Sequence, residues 1–488
     1  MKRTLLCAGL LTAAAFAQQN DKAIPLSKVE RKNKAPVSNE VLHVSLPKPV
    51  ELKMADGLTV LVLENHRLPA VTARLTILGA GAVFEPAPTP GLASFTAQML
   101  NQGTASRTSR QIAEEVEGMG ASIAAAAPFG SSTTVITASG LSETFPQLLA
   151  LAADIVLHPA FPDSELARLK QRQKAQLMQM RAQPQFLANE VFFRAVYGSH
   201  PAAVVAPTMA SIDAMTPELL RQWHDQRYVP QNAILGIAGD VTVPQVRDVL
   251  ASLPDWTRTG LATPQPPPSQ AAEAKKVWLV DRPNSVQTRL MLGNIAVKRT
   301  DPDYIPLVVM DRIVGGSPAA RLFLNLRENK GYTYNPFSSL NATLFAGPWT
   351  AYADVRTPVT EEAMTEFLNE IRRIRDEKAP AAELDEAKHA LVASFALSLE
   401  SPADLLDRAT LLRIYNLPDD YWDAYPAKIA AVTAADVQRV AQKYLNPDSL
   451  QVVAVGDAAK IREALAKFAP VEVRDAQGKI ETPPAPAH

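Results

Sequence analysis

The feature that most constrains this chain is an internal repeat that covers almost half of its length. Two segments contain the same series: a threonine that can cap a helix, a tyrosine near the helix end, and an apolar strand that runs into Gly-Asp. The threonine precedes the glycine by 23 residues in both segments, and the two aspartates are 217 positions apart. Such a repeat predicts two homologous domains in tandem. The repeated positions are Thr216, Tyr228, Gly239 and Asp240, and then Thr433, Tyr444, Gly456 and Asp457.

Each copy also begins with a hairpin pattern. In the first copy a turn at Asp56 and Gly57 precedes a strand over 60–63, and a second strand alternates over 71–77. The pattern returns at 277–280 and 288–293. Helices are predicted at about 90–102, 109–118, from Ser142, and from Asp163 or Ser164 to before Pro184, with a strand over 133–137. This order predicts an α+β fold of two homologous domains, each a mostly antiparallel sheet packed with helices.

The start of the chain has the pattern of a secretory signal peptide. Lys2 and Arg3 precede a short apolar run, and small residues at Ala15 and Ala17 suit cleavage. The run is too short to span a bilayer. Cleavage would remove Cys7, the only cysteine, and with it any disulfide or cysteine metal site. Export is therefore predicted, either to a periplasm or to the medium.

The composition of the chain and the positions of its prolines indicate the predicted domain boundaries. A formal charge of -1 provides no global field that would favour nucleic acid or an anionic membrane. Prolines concentrate at 264–268, which predicts a stiff linker. The predicted parts are a signal peptide at 1–17, a tether at 18–47, a first domain at 48–253, a linker at 254–275, a second domain at 276–470 and a tail at 471–488.

Several short motifs then occur in a distinctive order and spacing. They are residues 57–60, the helix start at 91–93, the steps at 158–161 and 197–201, both Gly-Asp ends, and 321–328 with Tyr334. Over residues 48–470 the chain resembles the M16 (pitrilysin/insulinase-type) metallopeptidase family, in its two-domain bacterial M16B-like form. The resemblance implies domains of the LuxS/M16 metalloenzyme-like type.

Active M16 enzymes carry His-x-x-Glu-His on the first helix of the first domain, where the histidines bind zinc and the glutamate is the base. In this chain Ser94, Ala97 and Gln98 occupy those positions. A hydroxyl and a carboxamide are weak, neutral ligands, and alanine cannot accept a proton. We therefore expect no metal site here and no zinc peptidase activity of the chain alone.

The family's third ligand is a glutamate on a later helix. Residues 166–189 contain no Asp or Glu, and their cations would repel a dication. None of the seven histidines has another histidine three or four residues away, so packing or surface roles are expected for them. The stretch offers the amides of Gln171, Gln173, Gln176 and Gln179 among Arg168, Lys170, Arg172 and Lys174.

The second domain keeps a different family feature. Active members use an arginine and a tyrosine, seven residues apart, to hold the substrate backbone, and Arg327 and Tyr334 have that spacing. The pattern predicts a helix over 319–329 that stops at Gly331, with Tyr334 opening a strand. Two hydrogen-bond donors placed there could grip a peptide carbonyl and its developing oxyanion. The alternative is a surface charge beside a half-buried strand aromatic.

Three functional hypotheses follow. The first is a non-catalytic, peptide-gripping subunit that supplies Arg327 and Tyr334 to a zinc-bearing M16 paralogue and binds unfolded peptides by strand addition. Zinc is then expected in the partner subunit. The second is a zinc-less scaffold or peptide-binding protein without a role in proteolysis. The third is an autonomous hydrolase with a metal site of another kind.

Overall fold

The computed structural model describes residues 42–258, 260, 262–270, 272 and 274–480. The predicted signal peptide and most of the predicted tether lie outside this range. The tether's last residues lie within it, where Val44 and Leu46 pack against the core of the second half. The Leu46 amide also donates to Asp423 Oδ1 at 2.9 Å.

The first half is built on a six-stranded sheet with the order β1-β2-β6-β3-β5-β4. Strands β2 and β6 run parallel, and every other neighbouring pair is antiparallel. Strand β4 lies at one edge, where one side of its backbone pairs with no other strand among the described residues. The strands are β1 Val50–Lys53, β2 Thr59–Glu64, β3 Ala70–Leu78, β4 Ser122–Ala126, β5 Thr133–Leu141 and β6 Ala233–Gly239.

The second half contains a sheet with the order β12-β7-β11-β8-β10-β9. Strand β7 runs parallel to both of its neighbours, and the other pairs are antiparallel. Residues 471–474, which the sequence assigns to the tail, form β12 in this sheet. The strands are β7 Lys276–Asp281, β8 Gln287–Ile295, β9 Phe337–Leu340, β10 Pro348–Arg356, β11 Gln451–Gly456 and β12 Val471–Arg474.

Five strands of each sheet correspond in order and direction, so the fold class is confirmed. The sixth strand differs: β1 precedes the first hairpin and pairs antiparallel, whereas β12 follows the last helix and pairs parallel. The helices of the first half are α1 Leu92–Leu100, α2 Ser109–Gly118, α3 Phe145–Leu157, α4 Asp163–Arg181, α5 Pro184–Tyr197, α6 Met209–Ala214, α7 Pro217–Arg227 and α8 Val243–Ser252. Those of the second half are α9 Tyr304–Val314, α10 Thr360–Asp376, α11 Ala381–Leu397, α12 Pro402–Ile414, α13 Tyr425–Ala431, α14 Ala434–Tyr444 and α15 Ala458–Ala466.

The two halves exchange one helix each. Helix α5 packs on β8 and β11 of the second sheet, and α12 packs on β2 and β6 of the first. This exchange explains why residues 60–63 of β2 are all buried. Val60 and Val62 face the first core, whereas Leu61 and Leu63 lie under Leu406 of α12. Each sheet is therefore covered on its second face by a helix from the other half.

The proline-rich linker also lies against both halves. Thr263 donates to the Asn232 side chain at 2.7 Å, and Ser269 donates to the Ala346 carbonyl at 2.8 Å. His200 Nε2 lies 2.9 Å from the Pro267 carbonyl oxygen. Within the described part of the chain, no helix combines the length and the apolar character that a bilayer span requires.

Candidate functional site

Helix α1 is held at its start by a half-buried carboxylate. Gly91, with a φ of 99°, turns the chain into the helix. The Glu85 carboxylate accepts hydrogen bonds from the Gly91 amide at 2.8 Å and the Ala93 amide at 2.7 Å. Burial raises the pKa of Glu85 to about 7, although these two donors act in the opposite direction. The first turn of the helix that resembles the zinc helix is thus fixed in place.

A chain of neutral hydrogen bonds occupies the positions of the zinc motif. Gln98 Nε2 donates to Ser94 Oγ at 3.0 Å, one turn earlier on the same helix face. Gln98 Oε1 accepts from Gln173 Nε2 of α4 at 3.1 Å. Ala97 lies beside them and is 1% exposed. The degenerate zinc motif thus lies against α4. Of the four glutamines of α4, Gln173 is the one that hydrogen-bonds to Gln98.

These residues do not fit a zinc ion. Zinc sites in proteins use thiolate, imidazole or carboxylate donors, and Ser94, Gln98 and Gln173 supply none of these. Both ends of the Gln98 amide are already engaged with protein groups. Across the residues that the structure describes, no group of three or more His, Cys, Asp or Glu side chains could hold a metal ion.

Part of the positive charge of α4 is compensated close by, at Lys174 and Arg168. Lys174 forms an ion pair with Asp213, and Lys170 donates to the Asp213 carbonyl at 3.0 Å. Arg168 lies 3.2 Å from Glu165 on its own helix. These local partners reduce the field that α4 can present to an acidic peptide.

The edge strand β4 lies next to α1. Asn101, which ends α1, donates from its side-chain amide to the Ile123 carbonyl of β4 at 2.9 Å. The side chains of β4 are small apart from Ile123, and alternate ones are exposed. The hydrogen-bonded residues Ser94, Gln98 and Gln173 therefore lie near an open sheet edge, because helix α1 contacts both α4 and β4.

The segment that carries Arg327 is a π-helix, Phe323–Asn329, rather than the predicted α-helix. The Lys330 amide donates to the Asn325 carbonyl, five residues back, at 3.0 Å. Gly331 then adopts a φ of 62°, as expected for the predicted stop. Single π-turns inside α-helices occur often at functional sites because they shift the direction of the side chains that follow.

Arg327 and Tyr334 lie together, as their spacing predicts. The Arg327 guanidinium carbon is 4.2 Å from the Tyr334 ring centroid and 4.6 Å from that of Phe323. Tyr334 is 77% exposed and lies in a bend, and β9 begins only at Phe337. The predictions of a strand opening at Tyr334 and of a half-buried strand aromatic are therefore wrong, because the chain first turns after the short bridge between Thr333 and Val355.

Stacking leaves the polar edge of Arg327 accessible. The contacts with Phe323 and Tyr334 use the rings and the guanidinium plane, whereas its N–H groups point along the edge of that plane. The side chain is 33% exposed, and Nε lies 3.3 Å from Glu328 Oε1. Arg327 and the Tyr334 hydroxyl therefore present donors at one exposed place.

Comparison with known protein families gives a match in each half of the chain. Residues 59–204 match the family model described as insulinase (peptidase family M16), and residues 214–391 match the model described as peptidase M16 inactive domain. The chain belongs to the M16 peptidase family. In the part of this M16 chain that the structure describes, no cluster of His, Cys, Asp and Glu side chains is suited to bind a metal ion.

M16 relatives cover most of the chain at low identity. An uncharacterized zinc protease of Rickettsia bellii is 25% identical over 82% of this chain and 96% of its own length. YmxG of Bacillus subtilis, also called an uncharacterized zinc protease, is 25% identical over 71% of this chain and 84% of its own. A crystal structure called peptidase M16 inactive domain, from Pseudomonas fluorescens, has a TM-score of 0.77 and 27% identity over 84% of this chain and 98% of its own.

The M16 resemblance did not identify Gln173, Glu85 or Asn101 from the sequence. A signal for Gln173 was nonetheless present. Leu169 and Leu177 lie four residues to either side and are buried, so helical spacing places Gln173 on the inward face of α4. No comparable pattern marks Glu85, because it caps α1 from a loop that precedes the helix.

Proposed function

We propose that this M16 chain is the non-catalytic, peptide-gripping subunit of a heteromeric zinc peptidase. In this proposal the chain is exported and supplies Arg327 and Tyr334, and a zinc-bearing M16 paralogue supplies the metal. The observation that carries the proposal is a contrast within one chain. At the zinc positions, Ser94 and Gln98 are hydrogen-bonded to each other and to Gln173, whereas Arg327 and Tyr334 remain clustered and accessible.

Arg327, Phe323 and Tyr334 form a cluster, called here the Arg327 cluster. Its geometry supports a role in binding a peptide carbonyl. A guanidinium held against the Phe323 and Tyr334 rings loses little further side-chain freedom when it binds, so less entropy opposes the hydrogen bond. The exposed Tyr334 hydroxyl adds a second donor. Two donors that converge on one oxygen also stabilise the negative charge that develops on it during peptide hydrolysis.

Strand β4 supports binding of peptides through their backbone. Its outer edge pairs with no strand in the part of the chain that the structure describes, and a peptide in extended form could add to it by main-chain hydrogen bonds. Such binding recognises the backbone rather than a particular sequence, which suits unfolded peptides. The small side chains of β4 leave room for varied residues of the added strand.

The test is reconstitution with an M16 chain that has an intact His-x-x-Glu-His, followed by cleavage of a fluorogenic peptide. Arg327→Ala and Tyr334→Phe are each expected to lower kcat/KM of the mixture on the order of 100-fold, as loss of one oxyanion donor does. Tyr334→Phe keeps the ring that stacks on Arg327, so it removes only the hydroxyl.

Tyr332→Phe is the matched control, since Tyr332 lies in the same loop but packs against the core. It should leave activity unchanged, and sedimentation should show equal complex formation for all variants. Full activity of both Arg327→Ala and Tyr334→Phe would refute the clamp. A stable complex that never cleaves peptides, whichever zinc-bearing chain is used, would favour a scaffold instead.

A further inference from the structure

A cavity that opens to solvent on one side lies in the first half, and neither Gln98, Gln173 nor Arg327 lines it. Its volume is about 670 Å³, and it lies between the sheet and α3. The segment after α8, residues 253–257, forms a further part of its wall. This volume is within the range of about 300–1,000 Å³ that is typical of sites for small organic ligands.

The walls of the cavity are apolar and firmly held. Ile136 and Leu235 of the sheet, Leu149 and Val156 of α3, and Trp256 are all buried and line it. The Trp256 indole N–H donates to the Tyr228 carbonyl at 3.2 Å, which holds the ring as a wall. Side chains around such a space lack contacts on one side, so an apolar ligand that filled it would gain them.

Small residues keep the space open. Ala73 and Ala138 of the sheet, and Ala152 and Ala153 of α3, all line the cavity. Longer aliphatic side chains at these positions would fill it with protein atoms, as happens in a closely packed core. The sequence thus maintains an apolar chamber at the place where a sheet and a helix usually pack without gaps.

The polar groups of the cavity are acidic or neutral. Asp56, Asp255, Gln231 and Thr257 line it, and none of its described lining residues is Lys, Arg or His. Arg258, the next residue along the chain, is engaged elsewhere through His224 at 2.7 Å and Asp225 at 2.8 Å. The field at this rim therefore favours a cation and disfavours an anion.

We propose that this cavity binds an amphiphile with an apolar tail and a cationic head, of the long-chain alkylamine or quaternary ammonium class. The tail occupies the space between the sheet and α3, and the head lies at Asp56 and Asp255. This site is independent of the Arg327 cluster and of any partner subunit.

The test uses dodecylamine, dodecanol and dodecanoate, which share a tail and differ in the charge of the head. Each displaces a neutral environment-sensitive fluorophore from the purified full chain, below the concentration at which it forms micelles. Dodecylamine should bind about fivefold to tenfold more tightly than dodecanol, and dodecanoate more weakly than either. Asp255→Asn should reduce the preference for the amine about fivefold. Asp248→Asn, at an exposed residue of α8 that does not line the cavity, should leave it unchanged.

Ala152→Trp should abolish displacement, because the indole would occupy the tail space. Ala150→Trp is the matched control on the same helix, since Ala150 is exposed and does not line the cavity. Ala153→Leu replaces Ala152→Trp if the latter loses its cooperative unfolding transition. Equal binding of the three ligands would refute the charge preference. Unchanged binding by a folded cavity-filling variant would refute the site itself.

Discussion

Among the individual side chains, His224 illustrates why a histidine in an M16 chain need not be a ligand. It is 1% exposed, and its Nε2 lies 2.8 Å from the Val156 carbonyl. Its Nδ1 accepts from the Arg258 guanidinium at 2.7 Å, which requires a neutral ring protonated on Nε2. Burial, the largest cause, lowers the pKa of His224 to about 4. The packing role expected for this histidine thus includes hydrogen bonds to the Val156 carbonyl and the Arg258 guanidinium.

This neutral histidine predicts a loss of stability in mild acid. The unfolded chain takes up a proton at His224 below its ordinary pKa of 6.5, whereas the folded chain does so only near 4. The free energy of unfolding should therefore fall as pH drops from 6.5 to 4, by up to roughly 3 kcal/mol from this residue. Urea titrations at several pH values should show a flatter pH dependence for His224→Asn than for the natural chain.

Comparing the variant with the natural chain separates the contribution of His224 from those of groups whose pKa shifts change stability with pH in the opposite direction. Burial raises the pKa of Asp311 to about 6 and that of Glu85 to about 7, so their contributions fall as pH rises towards neutrality. Both are unchanged in the variant. A His224→Asn profile parallel to that of the natural chain would contradict the prediction.

Among the helices, α1 and α4 keep the relative placement that a metal site requires. Gln98 and Gln173 touch at 3.1 Å, and Ser94 lies one turn from Gln98. The substitutions Ser94→His, Ala97→Glu, Gln98→His and Gln173→Glu should therefore create a zinc site with three protein ligands and a base. Elemental analysis after dialysis should find one zinc per chain in this variant and none in the natural chain.

A matched variant tests the helix placement rather than the ligand types. It carries Gln176→Glu in place of Gln173→Glu, on the same helix but at an exposed position. Competition with a chelating dye should show weaker zinc binding, by more than the roughly 10–100-fold that loss of an outer-shell partner costs. Equal affinity of the two variants would mean that α4 does not hold residue 173 against α1.

The strands and helices with clear periodicity could be predicted, and the local departures from it could not. The boundaries of α2 match the prediction, and both Gly-Asp strands are present. Strand β4 escaped prediction because alanine has little strand preference and its alternation is weak. The π-helix at Arg327 escaped because its hydrogen bonds arise from tertiary packing and leave no pattern in the residues.

The site was predictable as a set of positions but not as a set of contacts. Spacing placed Arg327 near Tyr334, yet the contact of the guanidinium with both the Phe323 and Tyr334 rings is visible only in the structure. The lost zinc motif showed which donors are missing, and only the fold showed that amides bond to one another in their place. Such contacts depend on helix placement that no local pattern encodes.

For the molecule as a whole, the exchanged helices α5 and α12 make the two repeats depend on each other. Leu406 of α12 lies on β6, where Gly236 lacks a side chain to obstruct it. A Cβ added at Gly236 would come within 2.7 Å of Leu406. The first sheet thus buries part of its apolar surface against a helix that is about 170 residues away in sequence. The repeats should therefore unfold in one transition.

A double-mutant cycle tests this dependence. Gly236→Ala should cost about 1–3 kcal/mol through crowding, and Leu406→Ala about 2–5 kcal/mol through the cavity that it leaves. The double variant should lose less than the sum, because the alanine methyl occupies space that the leucine vacates. Leu397→Ala, at a leucine 69% exposed on α11, should be nearly neutral and additive with Gly236→Ala. Calorimetry that resolved two separate transitions, or full additivity in the cycle, would show that the exchanged helices do not couple the halves.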